Sequence, residues 1–195
     1  ALRGIDPRVP FAVSTLTLLA AVGGLVLAER HLVPKSSSSE DPGKQPVQRI
    51  VLFFAALLVL ALGFQLHFAV NSAPQYLRFA SPADLAWLLP VFWIGFQLGM
   101  LPASRFVKRL GTLPVMAVSA ACGALATLAC AFASGKSFLL SAQFVAGACW
   151  GVACVAAYTT AVGFGRTGRE GRFLGTLFAV LAAAALVRIG MNAAG

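Results

Sequence analysis

Six long runs of apolar residues constrain the fold of this chain more than any other feature of its sequence. A helix needs roughly 20 apolar residues to cross the hydrocarbon core of a bilayer, and about 17 to 25 are tolerated. Barrel strands would instead alternate apolar and polar residues over about ten positions. The sequence therefore predicts an all-α polytopic transmembrane helical bundle of about six spans. These nearly uncharged runs are residues 11–28, 50–70, 85–103, 112–133, 138–164 and 173–191.

The composition supports this interpretation and argues against two other classes of protein. Apolar residues make up 59% of the 195 residues and charged residues 11%, which lies outside the range of soluble domains. The formal net charge of +9 suggests nucleic acid, but the basic residues are divided among short connections and form no single stripe. We therefore expect the lipid bilayer, and no nucleic acid, as a partner.

The positive charges predict how the helices are oriented. Cytoplasmic connections carry an excess of Lys and Arg. Counted over alternate connections, one set (29–49, 104–111 and 165–172) holds ten and the other set holds four. This bias predicts an outside amino terminus and a cytoplasmic segment 30–49. The chain is expected to be an integral multi-pass protein of the plasma (inner) membrane.

The segment before the second run divides the chain. Residues 30–49 combine Ser, Pro and mixed charge without apolar periodicity, which is typical of a linker. We predict one transmembrane helix over 1–29, a cytoplasmic linker over 30–49 and a five-helix membrane domain over 50–195. An outside amino terminus that lacks an initiating Met indicates a piece of a longer chain, so a missing N-terminal half is an expected partner.

Residue types that carry catalysis or bind metals form no recognisable motif. The four cysteines lack metal-ligand spacing, and His31 and His67 are separated by a loop and part of a helix. An intramembrane enzyme would need a nucleophile with its base or a metal cluster. We therefore predict no catalytic residues, no metal site, no cofactor and no enzymatic activity.

Polar residues within the apolar runs are the candidates for a functional site. They are costly in a bilayer and usually face protein or a water-filled cavity. His67 in the second run and Asn71 directly after it share one helix face, and His67 would titrate near neutral pH. The alternative is that these side chains only form hydrogen bonds between helices. The predicted cavity residues are Gln65, His67, Asn71, Gln97, Gln143, Trp150 and Tyr158.

Two pairs of glycines predict where helices approach each other closely. Gly95 and Gly99 in the third run, and Gly147 and Gly151 in the fifth, have GxxxG spacing. Small residues at this spacing let helix backbones come close together in membranes. In a chain with several spans, such faces pack within the chain more often than they form dimers.

Residues 95–111, GFQLGMLPASRFVKRLG, carry a pattern of glycines and basic residues between the third and fourth runs. This segment resembles the cytoplasmic loop signature of the major facilitator superfamily, although Ser104 stands where that pattern has an acid. The matching residues are Gly99, Arg105, Lys108, Arg109 and Gly111.

The resemblance implies that the chain is the C-terminal part of such a transporter, corresponding to helices six to eleven. It implies alternating-access transport of a small solute, with a proton or other ion as a coupling partner. No Asp or Glu lies in any of the six runs, so a coupled proton would be carried either by His67 or by a carboxylate in the missing half. A non-transporting membrane partner or scaffold is the alternative.

Overall fold

The computed structural model describes residues 9–32, 47–165 and 168–193, and within these ranges the chain is helical and contains no strand. We number six helices in chain order. They are α1 (Val9–Leu32), α2 (Val47–Tyr76), α3 (Pro82–Leu110), α4 (Thr112–Ala131), α5 (Lys136–Phe164) and α6 (Glu170–Ala193).

Helices α2 to α6 are long and apolar enough to cross a membrane. In α1, the residues whose side chains the structure describes form the apolar stretch Ala12–Leu27. The predicted all-α fold class is therefore confirmed, and five of the six predicted spans have the required length and composition.

Helix α2 contains an irregular turn. It is α-helical over Val47–Gln65, π-helical over Leu66–Asn71 and α-helical again over Ser72–Tyr76. A π-helical turn has i→i+5 hydrogen bonds in place of i→i+4 and is frequent at functional sites. The turn changes which side chains of α2 lie above one another.

Helix α3 begins with a capped turn. Ser81 precedes a short 3₁₀ turn, Pro82–Asp84, and both its backbone N–H and its hydroxyl donate to Asp84 Oδ2, at 3.0 and 2.9 Å. The capping residue and the proline in the first turn satisfy or remove donors that a helix start leaves unpaired. The helix is interrupted at Leu89, immediately before Pro90.

Helix α3 then continues farther than the sequence suggests. The prediction placed its end at 103 and assigned the next residues to a loop, whereas the helix reaches Leu110. Arg105, Lys108 and Arg109 are therefore exposed side chains of its last turns, and Gly111 alone separates α3 from α4. Lys and Arg are good helix formers and are favoured near a helix C-terminus, so nothing ends α3 before Gly111, whose φ is 87°.

Helices α3 and α5 pack through their glycines and run in the same direction. Along α3, Gly95 and Gly99 face the backbone of Phe144 and Ala148, and Gly147 and Gly151 of α5 face the backbone of Phe92 and Phe96 in return. A Cβ added at any of the four would overlap a carbonyl oxygen of the facing helix. The predicted close approach is confirmed, and it lies within one chain.

A large buried apolar cluster joins the remaining helices. Helix α1 packs between α2 and α4, and α6 packs against α2 and α5. Leu18 and Leu25 of α1 are fully buried in the same cluster as Leu60 of α2 and Met116 of α4. The division at 29/30 and 49/50 stays a prediction, and residues 33–46 of the proposed linker lie outside the described residues.

Candidate functional site: a buried polar network

A chain of hydrogen bonds links α2 to α5 inside the bundle. His67 Nε2 lies 3.0 Å from Gln143 Oε1, Gln143 Nε2 donates to Ser72 Oγ at 2.9 Å, and Ser72 Oγ donates to the His67 carbonyl oxygen at 3.1 Å. The side chains of His67 and Gln143 are fully buried, and that of Ser72 is nearly so. We call these three residues the α2–α5 network.

The hydrogen bonds are compatible with one arrangement of hydrogens in the network. The Ser72 hydroxyl donates to the His67 carbonyl oxygen and accepts from the amide nitrogen of Gln143. The Gln143 amide oxygen, which can only accept, then faces the imidazole. In this arrangement a hydrogen on His67 Nε2 completes the chain of hydrogen bonds.

The π-helical turn brings Ser72 into the network. In a regular α-helix, two residues five positions apart are separated by about 140° of rotation around the helix axis. The 3.6-residue periodicity would therefore place Ser72 and His67 on different faces. The wider turn over Leu66–Asn71 instead sets the Ser72 hydroxyl over the His67 carbonyl oxygen. Nothing in the composition of this turn distinguishes it from an α-helix.

A second buried contact extends the polar region to α1. Asn71 Nδ2 donates to Ser14 Oγ at 3.1 Å, and both side chains are buried. The Asn71 amide oxygen is also buried and has no hydrogen-bond partner. Asn71 was among the predicted cavity residues, whereas Ser14 was not; its only signal was a hydroxyl in an apolar run that also holds Thr15 and Thr17.

Gln65 and Trp150, both predicted cavity residues, line a small cavity between α2, α3 and α5. The ring of Trp150 lies 4.8 Å from that of Phe64, measured between centroids, and the His67 ring lies 6.1 Å from that of Phe92. The α2–α5 network is thus bordered by aromatic rings. The cavity is lined by Phe64, Gln65, Phe68, Phe92, Trp93 and Trp150.

The other two predicted cavity residues lie apart from the network. Gln97 is exposed on α3, and Tyr158 is partly buried on α5 with its ring 5.8 Å from that of Phe178. Of the residues matched to the loop signature, Gly99 lies in the α3–α5 contact and the basic residues lie at the end of α3. None of them hydrogen-bonds to the network.

Another buried polar group was missed because α2 extends past the predicted end of its apolar run. Gln75 Nε2 donates to the Cys130 carbonyl oxygen at 2.6 Å, and Gln75 Oε1 accepts from Arg78 at 3.1 Å. The Tyr76 hydroxyl beside it is buried without a hydrogen-bond partner. These contacts fasten the end of α2 to α4.

Metal-ligating residues do not converge in the part of the chain that the structure describes. No group of three His, Cys, Asp or Glu side chains there is placed to hold a metal ion. The cysteines of this part are unpaired thiols: Cys122 is exposed, Cys149 is partly buried, and Cys130 and Cys154 are buried.

The geometry defines an all-helical protein with five helices long enough and apolar enough to span a membrane, and with a polar network buried between two of them. Comparison of the chain with protein-family models, curated proteins and solved structures found no match. The resemblance to the major facilitator superfamily stays a prediction.

Proposed function

We propose that this chain is the membrane-embedded part of a secondary transporter that moves a small solute by alternating access. The observation that supports this proposal most directly is the α2–α5 network, buried between two helices of membrane-spanning length. Polar groups at membrane depth are costly and usually line a pathway for a solute or ion. The position of His67 on a π-helical turn adds support, since such turns are frequent at functional sites.

The network can change partners at low cost. Hydrogen bonds between membrane helices contribute only about 0.6 kcal/mol each on average. A solute that both donates and accepts hydrogen bonds could therefore replace the contact between Gln143 and Ser72. The rings of Phe64, Phe92 and Trp150 would then cover its apolar part.

His67 is our candidate for coupling to a proton. Between residues 47 and 165 the only acidic residue is Asp84, and its carboxylate caps the start of α3. His67 is the only histidine of that range, and imidazole is the side chain that ordinarily titrates near neutral pH. Proton uptake by His67 would then accompany solute movement.

A second half of the transporter would account for the exposed faces of α3 and α6. Within their apolar windows, 22% of α3 and 11% of α6 are buried, the lowest shares of the five long helices. Gln97 lies on such a face, beside the exposed Trp93, Ile94 and Leu98. In our proposal this face of α3 borders the cavity between the two halves.

Flux measurements in vesicles test the proposal. The complete reading frame would be reconstituted with a pH-sensitive dye inside, and a mixture of sugars, amino acids and nucleosides would be followed by mass spectrometry. We expect at least one solute to cross faster than in empty vesicles, and His67→Gln to reduce proton movement with that solute. Gly163→Ala, where an added Cβ meets nothing within 4 Å, provides a control outside the network and outside this face of α3.

Two results would count against the transporter, and a third would count against the role of His67. One is a correctly folded protein that moves no solute in this screen and binds another membrane protein, which would favour a scaffold. Another is hydrolysis of a lipid or peptide that His67→Ala abolishes, which would favour an intramembrane enzyme. The third is a His67→Gln variant in which both the solute flux and the accompanying proton movement are unchanged. This result would remove His67 from the coupling role.

A further inference from the structure

An open apolar groove runs along the outside of the bundle between α3, α4 and α5. Its volume is about 590 Å³, and Ser119 is the single hydroxyl-bearing residue in its lining. The groove offers almost no hydrogen-bond partner, so hydrocarbon is the chemistry that fits it. Its walls include Phe106 and Leu110 of α3, Val118 and Cys122 of α4, and Val145 and Cys149 of α5.

One end of the groove lies beside positive charge. Arg105, Lys108 and Arg109 are exposed on the last turns of α3, the same turns that supply Phe106 and Leu110 to the wall. At about 100° per residue, Arg109 is roughly 60° and Arg105 roughly 100° around the helix from Phe106. Both arginines are therefore exposed on the same side of Phe106, whereas Lys108 lies on the far side of the helix.

No acidic residue competes for these arginines along the neighbouring helices. Between residues 85 and 165 the sequence contains no Asp or Glu. The guanidinium group binds phosphate oxygens in a bidentate manner, and basic pockets between membrane helices bind anionic head groups. The positive mouth favours a ligand whose polar end is negatively charged.

We propose that this groove is a binding site for one anionic glycerophospholipid. An acyl chain lies between α3, α4 and α5, and the phosphate group binds Arg105 and Arg109. The lining from Pro114 to Cys122 extends about 12 Å along α4, since a helix rises about 1.5 Å per residue. That length accommodates the upper part of an acyl chain directly below the head group.

The experiment uses the reconstituted full chain and lipids with a photoactivatable diazirine in one acyl chain. Phosphatidylglycerol and phosphatidylcholine probes would be compared at equal concentration, with crosslinked peptides mapped by mass spectrometry. We expect phosphatidylglycerol to label the groove peptides several-fold more. Each arginine near an anionic lipid contributes roughly a five-fold preference for that lipid. The double variant R105Q/R109Q should therefore remove most of the difference in groove labelling between the two probes.

A matched charge control separates the groove from a general surface effect. Arg169 and Arg172 are exposed near the start of α6, at the same end of the bundle as the end of α3. Replacing both with Gln removes the same charge from residues that do not line this groove. This variant should keep the phosphatidylglycerol preference.

Filling the groove tests its shape independently. Val118 is 61% exposed, so Val118→Trp should occupy the groove without disturbing the core, which circular dichroism would verify. We expect groove labelling by phosphatidylglycerol to fall several-fold although both arginines remain.

Several outcomes would overturn the proposal. Equal labelling of the groove by the two lipids would refute selectivity, and an equal loss in the α6 control would refute the role of Arg105 and Arg109. Unchanged labelling in Val118→Trp would place the lipid elsewhere. A bis-maleimide crosslink between Cys122 of two chains, formed regardless of lipid composition, would assign the groove to a second copy of the protein.

Discussion

Replacing Gly147 with Ala tests the contact between α3 and α5. An added Cβ would overlap the Phe92 carbonyl oxygen and lie 2.8 Å from the Phe92 carbonyl carbon. Carbon atoms in van der Waals contact are about 3.5 to 4.0 Å apart, so the helices must separate locally by about 0.7 Å or more. A gap of about 0.5 to 1 Å removes a quarter to a half of the dispersion energy of each contact that it opens.

The expected net effect is a loss of stability. Overpacking costs typically about 1 to 3 kcal/mol, whereas Ala improves helix propensity by at most about 1 kcal/mol over Gly. We expect Gly147→Ala to lower the free energy of unfolding by about 1 to 2 kcal/mol. For a chain of this size that corresponds to a decrease in Tm of roughly 2 to 8 °C.

The assay follows thermal unfolding in detergent with a thiol-reactive dye that becomes fluorescent as Cys130 and Cys154, buried in the native fold, react. Gly163→Ala is the matched control, since Gly163 lies on the same helix and an added Cβ would meet nothing within 4 Å. The control should be neutral or slightly stabilised. If the two variants have the same Tm, the glycine contact between α3 and α5 does not limit helix separation and the reasoning is refuted.

Two further substitutions address the buried network and the turn between α3 and α4. Gln143→Leu removes the partner of His67 Nε2 and should cost about 1 to 3 kcal/mol of unfolding free energy, because a buried donor loses its acceptor. Gln97→Leu, at an exposed position, should have little effect, and equal losses in the same dye assay would contradict the network. Gly111→Ala should cost about 1 kcal/mol, since its φ of 87° is unfavourable for L side chains. The control is Gly175→Ala, because an added Cβ at this position on α6 meets nothing within 4 Å. If Gly111→Ala is as stable as Gly175→Ala, the turn between α3 and α4 readily changes conformation.

The fold class was predictable because length and polarity alone determine it. A run such as 138–164 can hardly be anything but a long buried or membrane helix. The GxxxG contact was predictable for a similar reason, since two glycines four residues apart leave a flat strip of backbone. Helix ends were harder to predict from the sequence. The basic residues after 103 suggested a loop, although their helix propensity is high and the first strong helix breaker after them is Gly111.

The residues of the candidate site were more predictable from the sequence than the hydrogen bonds that join them. His67 and Gln143 were selected because they are polar residues within apolar runs, and the structure places them in contact. Gln97 satisfied the same criterion and is exposed, since polarity does not reveal which side of a helix faces the core. Ser72 could not be assigned, because its position depends on a π-helical turn that regular periodicity does not anticipate.

The glycine contact also determines which parts of the molecule can move independently. Because backbone meets backbone along two successive turns, α3 and α5 should translate and rotate as one body. Gln143 belongs to that body, whereas His67 and Ser72 belong to α2. Any opening of the network must therefore take place by displacement of α2 relative to the α3–α5 pair. The π-helical turn of α2 is where such a displacement would be absorbed.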